Sequence, residues 1–207
     1  MNPSRSGDVR RFDRAERLAH RIFALLMGVC LVTAALLYIP ALGGLVGQRD
    51  VVRMVHLVAG FALPVPLLVG YLVSRSFRDD VARLGRFQRP DWQWLRRRDR
   101  RTAGLLVGKF NAGQKLNAAF TVGSLLVLLA TGSVMTFASW FPDYIRTGST
   151  FTHGWFAIAV AVVAAGHLWM AYGDPEARRG MRTGVVSEAW VQRNHPGEVV
   201  DVDQPGR

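Results

Sequence analysis

Two histidines inside one apolar stretch constrain this 207-residue chain more than any other feature. The stretch runs from Phe151 to Tyr172, long enough to cross a bilayer, with His153 near its start and His167 near its end. They are fourteen residues apart. On a helix, at about 100° per residue, that spacing returns to within about 40° of the same face, and it covers roughly 21 Å along the axis. Histidine in hydrocarbon is costly unless it is paired or ligated, so two on one stripe require a partner at each depth.

Three further apolar runs precede it, at about Leu18–Leu42, Val51–Ser74 and Leu116–Trp140. Half the residues are hydrophobic, yet the mean hydropathy is only +0.15, because these runs alternate with strongly charged ones. The expected fold is all-α, a four-helix bundle integral to the membrane and forming one membrane domain. Asp13 and Glu16 flank the first run, which is too long for a signal-peptide core and is read as a retained span. Pro64 and Pro66 predict a kink in the second span. Ala41–Asp50 and Phe141–Thr150 read as short connections, 75–115 as a polar loop with an interfacial Asp91–Trp94 segment, and 173–207 as a polar tail.

Lys plus Arg number 26 against 15 acidic residues, a formal charge of +11. These charges lie between apolar runs and form no continuous polar face, which argues for membrane lipid as the partner and against nucleic acid. The N-terminal flank, the 75–115 loop and the tail hold 6, 12 and 5 of the basic residues, 23 of the 26. The positive-inside rule therefore puts both termini in the cytoplasm, with the protein multi-pass in the cell inner membrane. Cys30, the single cysteine, excludes a disulfide frame, zinc site or iron–sulfur cluster built from this chain alone.

With four spans, the histidines fall at two depths. His56 and His153 lie toward the outer side, His20 and His167 toward the inner side, each pair drawing one member from the last span. That layout suits bis-imidazole coordination of two haem b groups. Gly60, Gly70 and Gly166, near the ligand positions, give clearance for a flat macrocycle. Arg53 beside His56, and Arg17 and Arg21 beside His20, are candidates for propionate partners or for ordinary headgroup contacts. His195, in the polar tail, is expected to be solvated.

The Lys109–Lys115 heptapeptide, Lys-Phe-Asn-Ala-Gly-Gln-Lys, enters the third span on the inner side. Asn111 and Gln114 offer amide donors and Gly113 a close backbone approach, as a quinone headgroup needs. A helix start, with Asn111 as its cap and the lysines snorkelling, accounts for the same residues. Arg11-x-x-Arg14-x-x-Arg17-x-x-His20, His56, the heptapeptide and His153…His167 together resemble the cytochrome b (gamma) subunit of membrane-bound formate dehydrogenase, a di-haem cytochrome b. The resemblance implies an outer haem on His56 and His153, an inner haem on His20 and His167, and a quinone site at Asn111, Gly113 and Gln114 near His167. It implies partners as well: an iron–sulfur subunit and a catalytic molybdenum or tungsten subunit, with menaquinone or ubiquinone as electron acceptor. Two other readings stay open, a haem-free membrane anchor and the equivalent cytochrome b of a hydrogenase or other quinone-linked oxidoreductase.

Overall fold

A computed structural model describes residues 7–44, 47–97 and 105–198. Among them, four helical runs are long and apolar enough to cross a membrane: Arg14–Tyr38, Arg49–Val73, Ala112–Thr136 and Asp143–Tyr172. At 1.5 Å per residue, helices of 25 to 30 residues reach roughly 37 to 45 Å, more than the hydrocarbon thickness. Large apolar side chains point outward from them, Leu72 and Val162 being 75% and 67% exposed. A water-soluble protein does not sustain such a surface, and lipid does. The chain is an all-α, four-span membrane protein, as its sequence leads one to expect.

Local chemistry sets where each helix starts and stops. Helix α1 (Arg14–Tyr38) opens with a reciprocal box: the Asp13 N–H donates to the Glu16 carboxylate (2.6 Å) and the Glu16 N–H to that of Asp13 (2.7 Å). It stops because Pro40 forces Ile39 into extended backbone (φ −89°, ψ 111°), and the short α2 (Pro40–Gly43) follows. The second span is α3 (Arg49–Ala62) and α4 (Pro64–Val73), broken at Leu63 where Pro64 and Pro66 withhold backbone donors. Helices α5 (Arg75–Leu84) and α6 (Arg89–Arg96) occupy part of the polar 75–115 segment. Helix α7 (Ala112–Thr136) is followed by one 3₁₀ turn at Ala138–Trp140. Helix α8 (Asp143–Tyr172) starts eight residues before the apolar stretch, Asp143 in its first turn complementing the helix dipole.

The chain divides into two compact units. The first, Leu18–Val73 with Thr121–His167, contains the apolar parts of all four spans. Its buried centre is Cys30, Ala59, Leu63 and Leu125, with Phe23, Leu26, Met27, Leu67 and Leu129 against it.

The second unit is Met1–Arg17, Ser74–Phe120 and Leu168–Arg207, within the described residues. It adds one feature to the all-α class: strands β1 (Asp8–Arg10) and β2 (Val185–Ser187) pair antiparallel, Val9 opposite Val186. Helix α9 (Pro175–Thr183) is capped by Asp174 and ends at Gly184 in left-handed backbone (φ 92°), where a Cβ would lie 2.6 Å from the Phe12 carbonyl oxygen. Helix α10 (Glu188–Asn194) places Trp190 and Val191 on Val186 to complete a small core.

His195 corrects an expectation. It is 2% exposed, and its Nδ1–H donates to the Gly108 carbonyl (2.8 Å). The adjoining backbone docks too, with the Gly197 N–H donating to the Val107 carbonyl (2.9 Å). Burial, reinforced by the Arg11 charge and only partly opposed by the Gly108 bond, pushes the imidazole down to about 3. Unfolded, it would titrate at its ordinary value of 6.5. The folded pKa is the lower one, so stability is present above pH 6.5 and is lost as pH falls, by up to about 1.4 kcal/mol per pH unit. Hydrogen-exchange protection around Val191 and Gly197 should therefore decline from pH 6.5 to 5, and His195→Gln should flatten that slope. An unchanged slope in the variant would mean that His195 is not the titrating group.

Candidate functional site

The spanning unit brings the four histidines together in the two expected pairs. His56 on α3 faces His153 on α8, ring centroids 6.4 Å apart with planes at 69°. His20 on α1 faces His167 on α8, again at 6.4 Å, with planes at 53°. The outer pair is half-buried and the inner pair more exposed. Because α8 is one uninterrupted helix, the levels lie roughly 21 Å apart along its axis. Between them sits the apolar layer around Cys30, Ala59, Leu63 and Leu125.

A 6.4 Å separation is too long for a direct hydrogen bond between two rings and matches the insertion of one metal atom. A metal–nitrogen bond of about 2 Å on each side, plus about 1.1 Å from each nitrogen to its ring centre, would put the two centroids roughly 6.2 Å apart. Rotation about the shared axis leaves the angle between the planes free. The donor set, two imidazoles per level with no carboxylate or thiolate, is that of a b-type haem. Among the described residues no cluster of three or more His, Cys, Asp or Glu could form another kind of metal site. At Gly60, one turn from His56, and at Gly166, beside His167, a Cβ would meet nothing within 4 Å. The residues fit haem.

Hydroxyl groups hold the outer pair, a feature that sequence reading missed. Thr33 Oγ1 on α1 lies 2.9 Å from His56 Nδ1, and Thr131 Oγ1 on α7 lies 2.9 Å from His153 Nδ1. The His153 ring also rests over Gly132, where a Cβ would come within 3.4 Å of Cε1. A Thr one span away from each ligand is visible in the sequence, but only the register between helices reveals the pairing.

The heptapeptide belongs to the second unit, whereas His167 belongs to the first. Its ends are fixed by ion pairs, which replaces the expectation of snorkelling lysines. Lys109 Nζ meets Asp80 at 2.5 Å and lies over the Phe12 ring. Lys115 Nζ meets Asp91 at 2.6 Å and donates to the Arg86 carbonyl at 2.8 Å. Between them Asn111 and Gln114 start α7 with a reciprocal box: the Asn111 N–H donates to Gln114 Oε1 (2.9 Å) and the Gln114 N–H to Asn111 Oδ1 (3.0 Å). Gly113 meets a flat side chain, since a Cβ there would lie 3.0 Å from the Trp94 indole.

The three arginines differ in their surroundings. Arg17 is engaged inside the second unit, donating to the Asp13 and Arg182 carbonyls (3.1 and 2.7 Å). Arg21 and Arg53 are exposed on α1 and α3, each within one turn of a histidine.

Comparison with known proteins follows the same line. A family model described as prokaryotic cytochrome b561 matches residues 11–180. Over 93 residues the chain is 33% identical to the cytochrome b556(Fdn) subunit of the nitrate-inducible formate dehydrogenase of Escherichia coli (strain K12). The proteins of that name from Escherichia coli O157:H7 and Shigella flexneri give the same identity. The match covers 44% of this chain and 43% of each relative, so the chain spans less than half the length of the curated relatives it matches.

Proposed function

The chain belongs to the prokaryotic cytochrome b561 family, membrane cytochromes that bind haem b and transfer electrons, and on that premise we propose that it is the di-haem subunit of a quinone-linked oxidoreductase. His56 and His153 hold the outer haem, His20 and His167 the inner one. The observation that carries this is the equal 6.4 Å separation of both pairs. When bound, haem b supplies a one-electron carrier at each level.

The chain's own residues do the rest. Helix α8 spaces the two sites, and the layer around Cys30, Ala59, Leu63 and Leu125 keeps water from the path between them. The basic residues concentrated in the flank, the 75–115 segment and the tail assign those segments to the cytoplasmic side of the membrane. Arg21 and Arg53 carry the charge and reach to pair with haem propionates.

Quinone, menaquinone or ubiquinone, is taken at the heptapeptide. The capping box uses Asn111 Oδ1 and Gln114 Oε1 as acceptors, which leaves Nδ2 and Nε2 as the donors to offer quinone carbonyls. Gly113 lets Trp94 pack against that turn and hold it. Partial similarity to the formate dehydrogenase cytochrome subunit supports formate oxidation in a partner as the electron source. The partners are then an iron–sulfur subunit and a molybdenum or tungsten subunit. The equivalent cytochrome b of a hydrogenase or other quinone-linked oxidoreductase is the second reading, because a match to the family at large leaves the electron donor open.

Protein purified from haem-replete cells should contain two haem b per chain. A colourless preparation would leave only a passive membrane anchor. Asn111→Asp and Gln114→Glu keep the cap acceptors and remove the donors, so each should slow quinone reduction by up to about tenfold, the worth of one hydrogen bond. Both haems should remain. Unchanged rates in stopped-flow reoxidation of the reduced haems by quinone would place the pocket elsewhere.

A further inference from the structure

The two histidine levels are chemically unequal, and the difference lies in hydroxyl groups. Thr33 Oγ1 sits 2.7 Å from the Val29 carbonyl oxygen and 3.1 Å from that of Cys30. Thr131 Oγ1 repeats the pattern, 2.7 Å from the Val127 carbonyl and 3.3 Å from that of Leu128. A hydroxyl has a single proton. In both cases it is given to the threonine's own helix, four residues back, the usual partner of a threonine inside a span. Toward the imidazole the oxygen can then only accept. His56 and His153 must each donate from Nδ1–H across the 2.9 Å contacts. Each ring is thereby fixed as the tautomer with its proton on Nδ1 and a bare lone pair on Nε2.

The inner level lacks this device. Among the described residues, neither His20 nor His167 has a threonine or serine hydroxyl on its ring nitrogens. The same α8 helix supplies a ligand to both levels, so the contrast comes from the neighbouring helices. It arises twice, from α1 and from α7, where Val29-Cys30-Leu31-Val32-Thr33 and Val127-Leu128-Leu129-Ala130-Thr131 carry the threonine in the same local pattern.

We propose that Thr33 and Thr131 are positioning residues that lower the potential of the haem at the His56–His153 level relative to the other. The inference rests on the haem-ligand reading above. A ring whose Nδ1–H is held by an acceptor is a stronger donor through Nε2. A stronger donor stabilises the ferric form more than the ferrous one, and the potential falls. With a hydroxyl on both axial rings at one level and on neither at the other, two otherwise equal haems differ in potential. Under the orientation given by the basic segments, the gradient runs downhill for electrons moving from the outer level to the inner one. These two threonines thus give the membrane path a direction without any change in ligand identity.

Redox titration of the detergent-purified protein, with each b-type component resolved, tests this. Thr33→Val and Thr131→Val should each shift the midpoint of one component upward, the double variant should shift it further, and the other component should stay in place. Thr→Ser at either position restores the acceptor and should return the midpoint to its original value, which a purely steric role would not do. Thr→Ala replaces valine wherever the valine variant fails to fold. Two haems present with both midpoints unmoved, a downward shift, or an equal movement of both components would overturn the proposal. Failure of the ligand reading looks different: His56→Ala and His153→Ala would then retain two low-spin haems.

Discussion

His153→Ala is expected to remove one of two haems and leave the other. The variant takes a single imidazole from the outer level, and the remaining His56 stays hydrogen-bonded to Thr33 but has no imidazole facing it. A b-type haem has no covalent link to its protein, so it is held by its axial bonds, its packing and its propionates. The inner pair lies roughly 21 Å away along α8 and shares no side chain with the outer one. Pyridine haemochrome content should fall from two per chain to one, with one component lost from the redox titration. Conversion of one haem to a high-spin, five-coordinate form would identify the same ligand by a milder route. Two unchanged low-spin haems would contradict the assignment.

Asp91→Ala should cost about 3–5 kcal/mol of stability, the effect of leaving a buried partner charge uncompensated. Asp91 and Lys115 are 5% and 7% exposed, and their contact is 2.6 Å. The same carboxylate accepts from the Gln88 N–H (2.8 Å) to cap α6, so the variant loses a helix start together with the ion pair. The Lys115 ammonium would keep the Arg86 carbonyl as acceptor and no counter-charge. Denaturation followed by tryptophan fluorescence reads the change, because Trp94 on α6 packs on Gly113 beside the affected turn. The double variant Asp91→Ala/Lys115→Met removes both charges and should recover most of the loss. A single-variant loss below about 1 kcal/mol would mean that water reaches the pair and screens it.

Both pairs of histidines were legible because spacing within a helix converts directly into depth, and depth is all that a two-level arrangement needs. Span existence was equally plain, since four apolar runs admit few alternatives. Helix ends were less so. Asp143–Thr150 is polar, but a helix continues past the lipid wherever its backbone closes its own hydrogen bonds, and Pro142 with Asp143 starts it early. Thr33 and Thr131 were invisible because a threonine in a span ordinarily bonds its own helix, and these do that as well. His195 was misread from local polarity. Its acceptor at Gly108 lies 87 residues away, beyond any local pattern. Three-residue strands such as Asp8–Arg10 are too short for alternation to register.

The break at Leu63 and the continuity of α8 have opposite consequences for electron tunnelling, whose rate decays exponentially with distance. Span two is interrupted at its proline pair, and it supplies a histidine to one level only. The interval between the levels is set by a single rigid rod, Asp143–Tyr172, which works as a ruler. Breathing of the other helices in a fluid bilayer therefore leaves that interval almost constant. A proline or an inserted residue between His153 and His167 would change the gauge itself.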